Sequence, residues 1–101
     1  MTTTAERLHE IRATIDAALG AVKADRQASP VVVAVVAEFA KKAAKAIAQE
    51  DERTSVIELE QAGDSAKAAA EADAGLSDAA RKAVLDAHLA ICIAKAKLPP
   101  P

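Results

Sequence analysis

The 101-residue sequence has no tryptophan, no tyrosine, one phenylalanine (Phe39), one cysteine (Cys92) and only three glycines. It therefore lacks aromatic side chains interleaved with basic ones, on which nucleic-acid bases could stack. Its net charge of -2 gives no field that would attract phosphates. A single cysteine cannot form an internal disulfide, which is typical of a reducing compartment. We expect no nucleic-acid partner.

Long apolar runs are also missing, and we expect no secretion leader. Residues 1–10 lack a basic start followed by an apolar segment, and no stretch of about 18 apolar residues occurs. Glycine-rich phosphate loops, nucleophile triads and zinc-finger spacings are absent as well. We therefore predict a cytoplasmic protein with no membrane partner and no cofactor.

Alanine dominates what is present, with 28 residues against 22 of Leu, Ile, Val and Phe together. Alanine has the highest helix propensity but buries little area, so helices form readily around a small core. The length suits one domain. We predict a single helical-bundle domain over residues 1–98, followed by a proline-rich tail at 99–101.

Capping signals place two of the predicted helices in the first half of the chain. Thr3 and Glu6 have capping-box spacing and predict a first helix over 4–24. Ser29 followed by Pro30 predicts the start of a second helix, which extends to about Gln49. Its apolar side chains cover roughly 200° of arc, so we expect it to be covered on two flanks as the central helix of a bundle.

Two further helices are predicted in the second half. Ser55 with Glu58 three residues later predicts a third helix that starts near Val56, with Gly63 on its inward face. Ser77 predicts a fourth helix from Asp78 to about Lys97. The fold class is therefore all-α: a small, alanine-rich up-down bundle of about four helices arranged as two helical hairpins.

A weak internal repeat relates the two hairpins. Shifting the sequence by 48 residues pairs Ser29 with Ser77, Asp16 with Asp64, and several apolar positions with each other. Either a duplicated hairpin or shared helical periodicity in an alanine-rich chain accounts for these matches.

The fourth helix has two apolar faces, and only one can be used in the core of a monomer. The second face would be an exposed apolar patch, which usually marks an interaction surface. We predict that it binds a protein partner or a second copy, giving a homo-oligomer. The predicted interface consists of Leu85, Leu89, Cys92 and Ile93, with Arg81 and Lys95 at its rim.

Arg81, His88 and Lys95 follow each other at seven-residue intervals between the two faces. Such a line of cationic or titratable groups could hold an acidic ligand. It is also typical of a solvated edge between two packed faces. The spacing alone does not separate these interpretations.

A metal site is a second hypothesis for the histidines and the cysteine. His88 and Cys92 are four residues apart on one helix, and an antiparallel first helix would bring His9 level with Cys92. These groups, with a carboxylate, would suit zinc. The alternative is a solvated His9 and a packed Cys92. The candidate ligands are Glu6, His9, His88 and Cys92.

The segment LHEIRATID at residues 8–16 resembles the opening of the all-helical chorismate mutases and isochorismate lyases, and Gly75-Leu76 is similar to a pair that precedes their last helix. In that family, cationic side chains hold the carboxylates of the substrate during a pericyclic step. The resemblance implies that Arg12 would bind a carboxylate, with Lys42 or Arg53 as further candidates. Pro30 departs from the pattern, since the family keeps its first helix long.

The favoured hypothesis is a small non-enzymatic interaction or adaptor module that works through an apolar helix face. The alternatives are a small helical enzyme of the mutase or lyase kind, which requires a cation-lined cavity at Arg12, and a metal-binding bundle.

Overall fold

A computed structural model describes residues 3–49 and 51–98, apart from the Thr4 side chain. Within these ranges the chain forms four α-helices and no strand: α1 (Thr4–Ala24), α2 (Pro30–Ala48), α3 (Glu52–Ala72) and α4 (Asp78–Ala96). None of these helices is both long enough and apolar enough to cross a bilayer. The predicted tail at 99–101 lies outside the described residues.

The four helices form the small all-α up-down bundle that the sequence predicts. Helix α1 packs against α2 and α4, and α3 packs against the same two helices. The arrangement is therefore a square in which every helix has two main neighbours. The prediction of α2 as a central helix is wrong, because α2 has two main neighbours, as every other helix of the bundle does.

Hydroxyl and carboxylate caps begin each helix, which satisfies backbone N–H groups that have no partner within the helix. Thr3 Oγ1 accepts from the Glu6 amide at 3.1 Å, and Ser77 Oγ accepts from the Ala80 amide at 3.1 Å. Ser29 Oγ accepts from the Val32 amide at 3.3 Å. The predicted starts of α1, α2 and α4 are therefore confirmed.

Helix α3 starts earlier than predicted, at Glu52 rather than near Val56. Asp51 is the cap, since its Oδ1 accepts from the Thr54 amide at 3.1 Å and its Oδ2 from the Thr54 hydroxyl at 2.8 Å. These bonds lower the pKa of Asp51, with the hydroxyl bond the largest cause. Ser55 is instead a buried helical residue whose hydroxyl donates to Gln49 Oε1. The capping box assigned to Ser55 is therefore wrong.

The helix bounds repeat along the chain. Helices α1 and α3 both have 21 residues, α2 and α4 both have 19, and each pair starts 48 residues apart. The N-caps follow the same spacing, with Thr3 matching Asp51 and Ser29 matching Ser77. Coincidence of both ends of both helices supports a repeated hairpin rather than shared periodicity alone.

The repeat is unequal in the middle of the core. Phe39 is fully buried and packs over Gly63, where an added Cβ would lie 3.1 Å from Phe39 Cζ. The positions related to these by 48 residues, Ala87 and Ile15, are also fully buried. The N-terminal hairpin therefore holds the two large residues of this set and the C-terminal hairpin holds the two small ones, which fills the layer evenly. Helix α3 runs unbroken through Gly63, and the side chain of Phe39 from α2 occupies the space that a side chain there would need.

Two aspartates join the loops at one end of the bundle. Asp25 in the α1–α2 loop accepts from the amide of Ser77 in the α3–α4 loop at 2.7 Å. Asp73 returns the contact, accepting from the Ser29 amide at 2.8 Å. This exchange has the pattern of a local twofold axis between the loops. Gly75 allows the close approach, because a Cβ there would lie 2.9 Å from the carbonyl oxygen of Gln27.

Candidate docking face on α4

The outer side of α4 carries an apolar face made of Leu85, Leu89 and Ile93. Leu89 is 56% exposed and Ile93 is 47% exposed, although both are large aliphatic side chains. Leu85 is half-buried. We refer to these three residues as the α4 face. The core does not need them, since α4 is anchored by fully buried Val84, Ala87 and Ile91.

A groove of about 360 Å³ runs beside the α4 face, between α1 and α4. Its floor is apolar, formed by Ile11 from α1 and by Ala90, Ile93 and Ala94 from α4. Charged side chains stand at its edge. The polar lining residues are Arg7, Glu10, Thr14 and Lys97.

Arg81, predicted at the rim of the interface, is occupied by the end of α3. Its Nη2 donates to the carbonyls of Asp73 at 2.9 Å and Leu76 at 3.1 Å, and its Nε donates to that of Ala70 at 3.3 Å. Ala70 lies in the last turn of α3 and Asp73 is its C-cap, so Arg81 caps the C-terminus of α3 and complements its dipole. The structure thus assigns Arg81 a place in the fold.

His88 and Lys95 also point to α3. His88 Nε2 lies 2.6 Å from Asp64 Oδ1, and Lys95 Nζ donates to Glu60 Oε1 at 2.9 Å. The bond to Glu60 raises the pKa of Lys95. Together with Arg81, these side chains form a row of polar contacts between α4 and α3. The row has its counter-charges within the chain, which argues against an acidic ligand along it.

Cys92 lies on the same side as this row. Its Sγ is 3.6 Å from His88 Nε2, and the residue is half-buried. Burial raises the pKa of the Cys92 thiol, and the carboxylates of Glu60 and Asp64 raise it further. The thiol is therefore protonated at neutral pH, which suits a packed side chain better than a nucleophile or a thiolate ligand.

The four predicted metal ligands do not come together. Glu6 and His9 are exposed on α1, and His9 borders a small cleft between α1, α2 and the start of α3. Among residues 3–49 and 51–98, no group of three His, Cys, Asp or Glu side chains is arranged to hold a metal ion. The proposed His9–Cys92 juxtaposition is wrong, because His9 faces α2 whereas Cys92 faces α3.

The residues implied by the mutase resemblance are dispersed. Arg12 is exposed on α1 and forms an ion pair with Asp16, with Nε and Oδ2 3.7 Å apart. Lys42 lines a different groove of about 590 Å³, between α2 and α3, and Arg53 is half-buried near the start of α3. Arg12 lines neither this groove nor the one between α1 and α4. The arrangement of these cations does not suit a dicarboxylate substrate.

Comparison with known proteins gives no match to any protein family, curated protein or solved structure. The repeated hairpin nevertheless provides a comparison within the chain itself. At the positions of α2 that correspond to Leu89 and Ile93, the sequence has Lys41 and Lys45. Both lysines are exposed. The bundle therefore accepts charged residues at these positions, and the aliphatic ones on α4 are not required by the helix or by its packing.

Sequence reasoning missed the groove residues next to the α4 face. Ala90 and Lys97 line the groove between α4 and α1, and Asp86 lies one turn before Ala90 on α4. Stepping 100° per residue places them together on the α1 side of Leu89, whereas Cys92 and Lys95 fall on the α3 side. The sequence alone therefore separates the two sides of α4. It does not show which side borders a groove, because that depends on how α1 packs.

Proposed function

We propose that the protein is a small non-enzymatic interaction module that docks through the α4 face. Self-association is the form of docking best supported by the composition. The chain has only 22 large aliphatic or aromatic core-forming residues, and two of them, Leu89 and Ile93, are about half exposed. Association of this face with a second copy would remove that apolar surface from water.

The observation that carries the proposal is the contrast between equivalent positions of the two hairpins. Lys41 and Lys45 keep the α2 surface hydrated, whereas Leu89 and Ile93 leave apolar surface exposed on α4. Both patterns occur on helices of the same length in the same bundle. A requirement of folding would apply to both hairpins alike, so a requirement of docking explains the difference better.

The test transfers the α2 pattern onto α4 in the double variant L89K/I93K. The matched control is V31K/I57K, which replaces two other exposed aliphatic residues and adds the same charge. We expect the wild type and the control to associate as concentration rises into the high micromolar range. The L89K/I93K variant should remain monomeric.

Sedimentation velocity would measure association, and circular dichroism would check that helicity is retained. A wild type that stays monodisperse and monomeric across this range would overturn self-association. Unfolding of L89K/I93K would show that the α4 face belongs to the core, contrary to the proposal.

A further inference from the structure

The α4 face and the groove beside it are complementary to each other. Ala90, Ile93, Ala94 and Lys97 line the groove at the spacing i, i+3, i+4 and i+7. This is the four-residue hole that receives a knob in helix packing. Leu89, exposed and one turn before Ile93, has the size and position of such a knob. Knob and hole therefore lie on the same helix, displaced by about one turn.

We infer that a second copy of this chain occupies the groove, with the two α4 helices antiparallel and related by a twofold axis. This inference rests on the proposed function and specifies its partner and register. Leu89 of each copy enters the hole of the other, so Leu89 lies against Ile93 of the opposite copy. An antiparallel twofold arrangement makes this contact twice and closes the assembly as a dimer.

The charges at the two ends of the contact agree with this register. Asp86 lies three residues before the knob, and Lys97 lies at the far corner of the hole. When two antiparallel helices place Leu89 of one copy against Ile93 of the other, residues that precede Leu89 lie opposite residues that follow Ile93. Asp86 of one copy therefore faces Lys97 of the other, while Arg7 and Glu10 of α1, which also line the groove, offset each other in charge. Opposite charges placed this way fix register and orientation.

Both charged groups can reach across the interface. Asp86 is half exposed and bonds only along its own helix in the described contacts, to Lys82 Nζ at 2.6 Å. Lys97 is exposed after the last turn of α4. The equivalent surface of α2 cannot act in the same way. Its knob position is Lys41, and Lys42 occupies the hole position of Ala90.

Charge exchange tests the register separately from docking. The variants D86K and K97D should each raise the dimer dissociation constant roughly tenfold, because two pairs per dimer become repulsive. The double variant D86K/K97D should return to within roughly threefold of the wild type, because the pairs reform with reversed sign. The control K82A removes the partner of Asp86 within α4 and should leave the dimer intact.

Sedimentation equilibrium would give the constants, and circular dichroism would confirm that each variant is folded. Additive weakening in D86K/K97D, or no effect of either single variant, would overturn the register while leaving docking through Leu89 and Ile93 standing. Open-ended growth instead of a dimer would overturn the twofold arrangement. A monomeric wild type would overturn both this inference and the proposed function.

Discussion

Replacing Gly63 with alanine tests the tightest contact in the core. The new methyl group would lie 3.1 Å from Phe39 Cζ, 3.3 Å from His88 Cδ2 and 3.4 Å from Ile91 Cγ2. The first two distances are shorter than ordinary carbon contacts. Phe39 and Ile91 are fully buried, so they cannot move aside without disturbing other core residues.

Two opposing effects set the magnitude. Alanine is about 1 kcal/mol more favourable than glycine inside a helix. Overpacking of a filled core costs about 1–3 kcal/mol. G63A should therefore be destabilised by about 0–2 kcal/mol. Gly20 supplies the matched control, because it lies in α1 with nothing within 4 Å of an added Cβ. G20A should be stabilised by about 0.5–1 kcal/mol.

Urea denaturation followed by circular dichroism would measure both variants, since the chain has no tryptophan or tyrosine to report by fluorescence. The packing cost is the difference between G20A and G63A, in which the helix-propensity gain cancels. F39L has a cavity cost of its own, so the test is whether adding G63A costs less in F39L than in the wild type, as it should if Phe39 is responsible. Equal stabilisation of G63A and G20A would refute the argument that Phe39 fills the space over Gly63.

Two further predictions concern the joined loops and the helix caps. The amides of Ser77 and Gln27 lower the pKa of Asp25 below its usual 3.8, so this carboxylate stabilises the fold above that pH and loses its effect as pH falls through the lowered value. D25N should be less stable than the wild type at neutral pH and should lose less stability on acidification. Urea midpoints in neutral and acidic buffers would measure this, and equal losses in D25N and the wild type would contradict the role given to Asp25. S29A and S77A should each lose about 1 kcal/mol at neutral pH, because each removes one N-cap acceptor. Thermal unfolding would measure both, and a loss from only one would argue against equivalent roles in the two hairpins.

Much of the bundle was predictable because helix starts and ends are encoded locally. Ser29 with Pro30 and Ser77 with Asp78 act within one turn of chain, and the structure confirms both starts. The start of α3 was predicted from Ser55, but the cap is Asp51, a residue type equally favoured at N-caps. The internal repeat indicates the correct cap, because Thr3 caps α1 and lies 48 residues before Asp51. A register taken from α1 would have selected the correct start.

The candidate site was predictable only in part. The pattern of α4 identified two apolar faces, including Leu89 and Ile93. It could not show that α3 bonds Arg81 and Lys95, because those contacts depend on how two helices pack. The loop contacts of Asp25 and Asp73 were missed for the same reason. They join residues 52 and 44 positions apart, and nothing in either loop alone reveals the other.

The two hairpins differ in bulk where they meet, because the N-terminal one contributes Phe39 and Ile15 and the C-terminal one contributes Gly63 and Ala87. If two N-terminal hairpins associated in the same geometry, Phe39 would be pressed against Ile15. Two C-terminal hairpins would place Ala87 beside Gly63 and enclose a void. Either mismatch would be penalised, so we expect each hairpin to pair with the other rather than with a copy of itself. Such selectivity would direct the hairpins to one correct pairing within a molecule, even though their helices are of equal length.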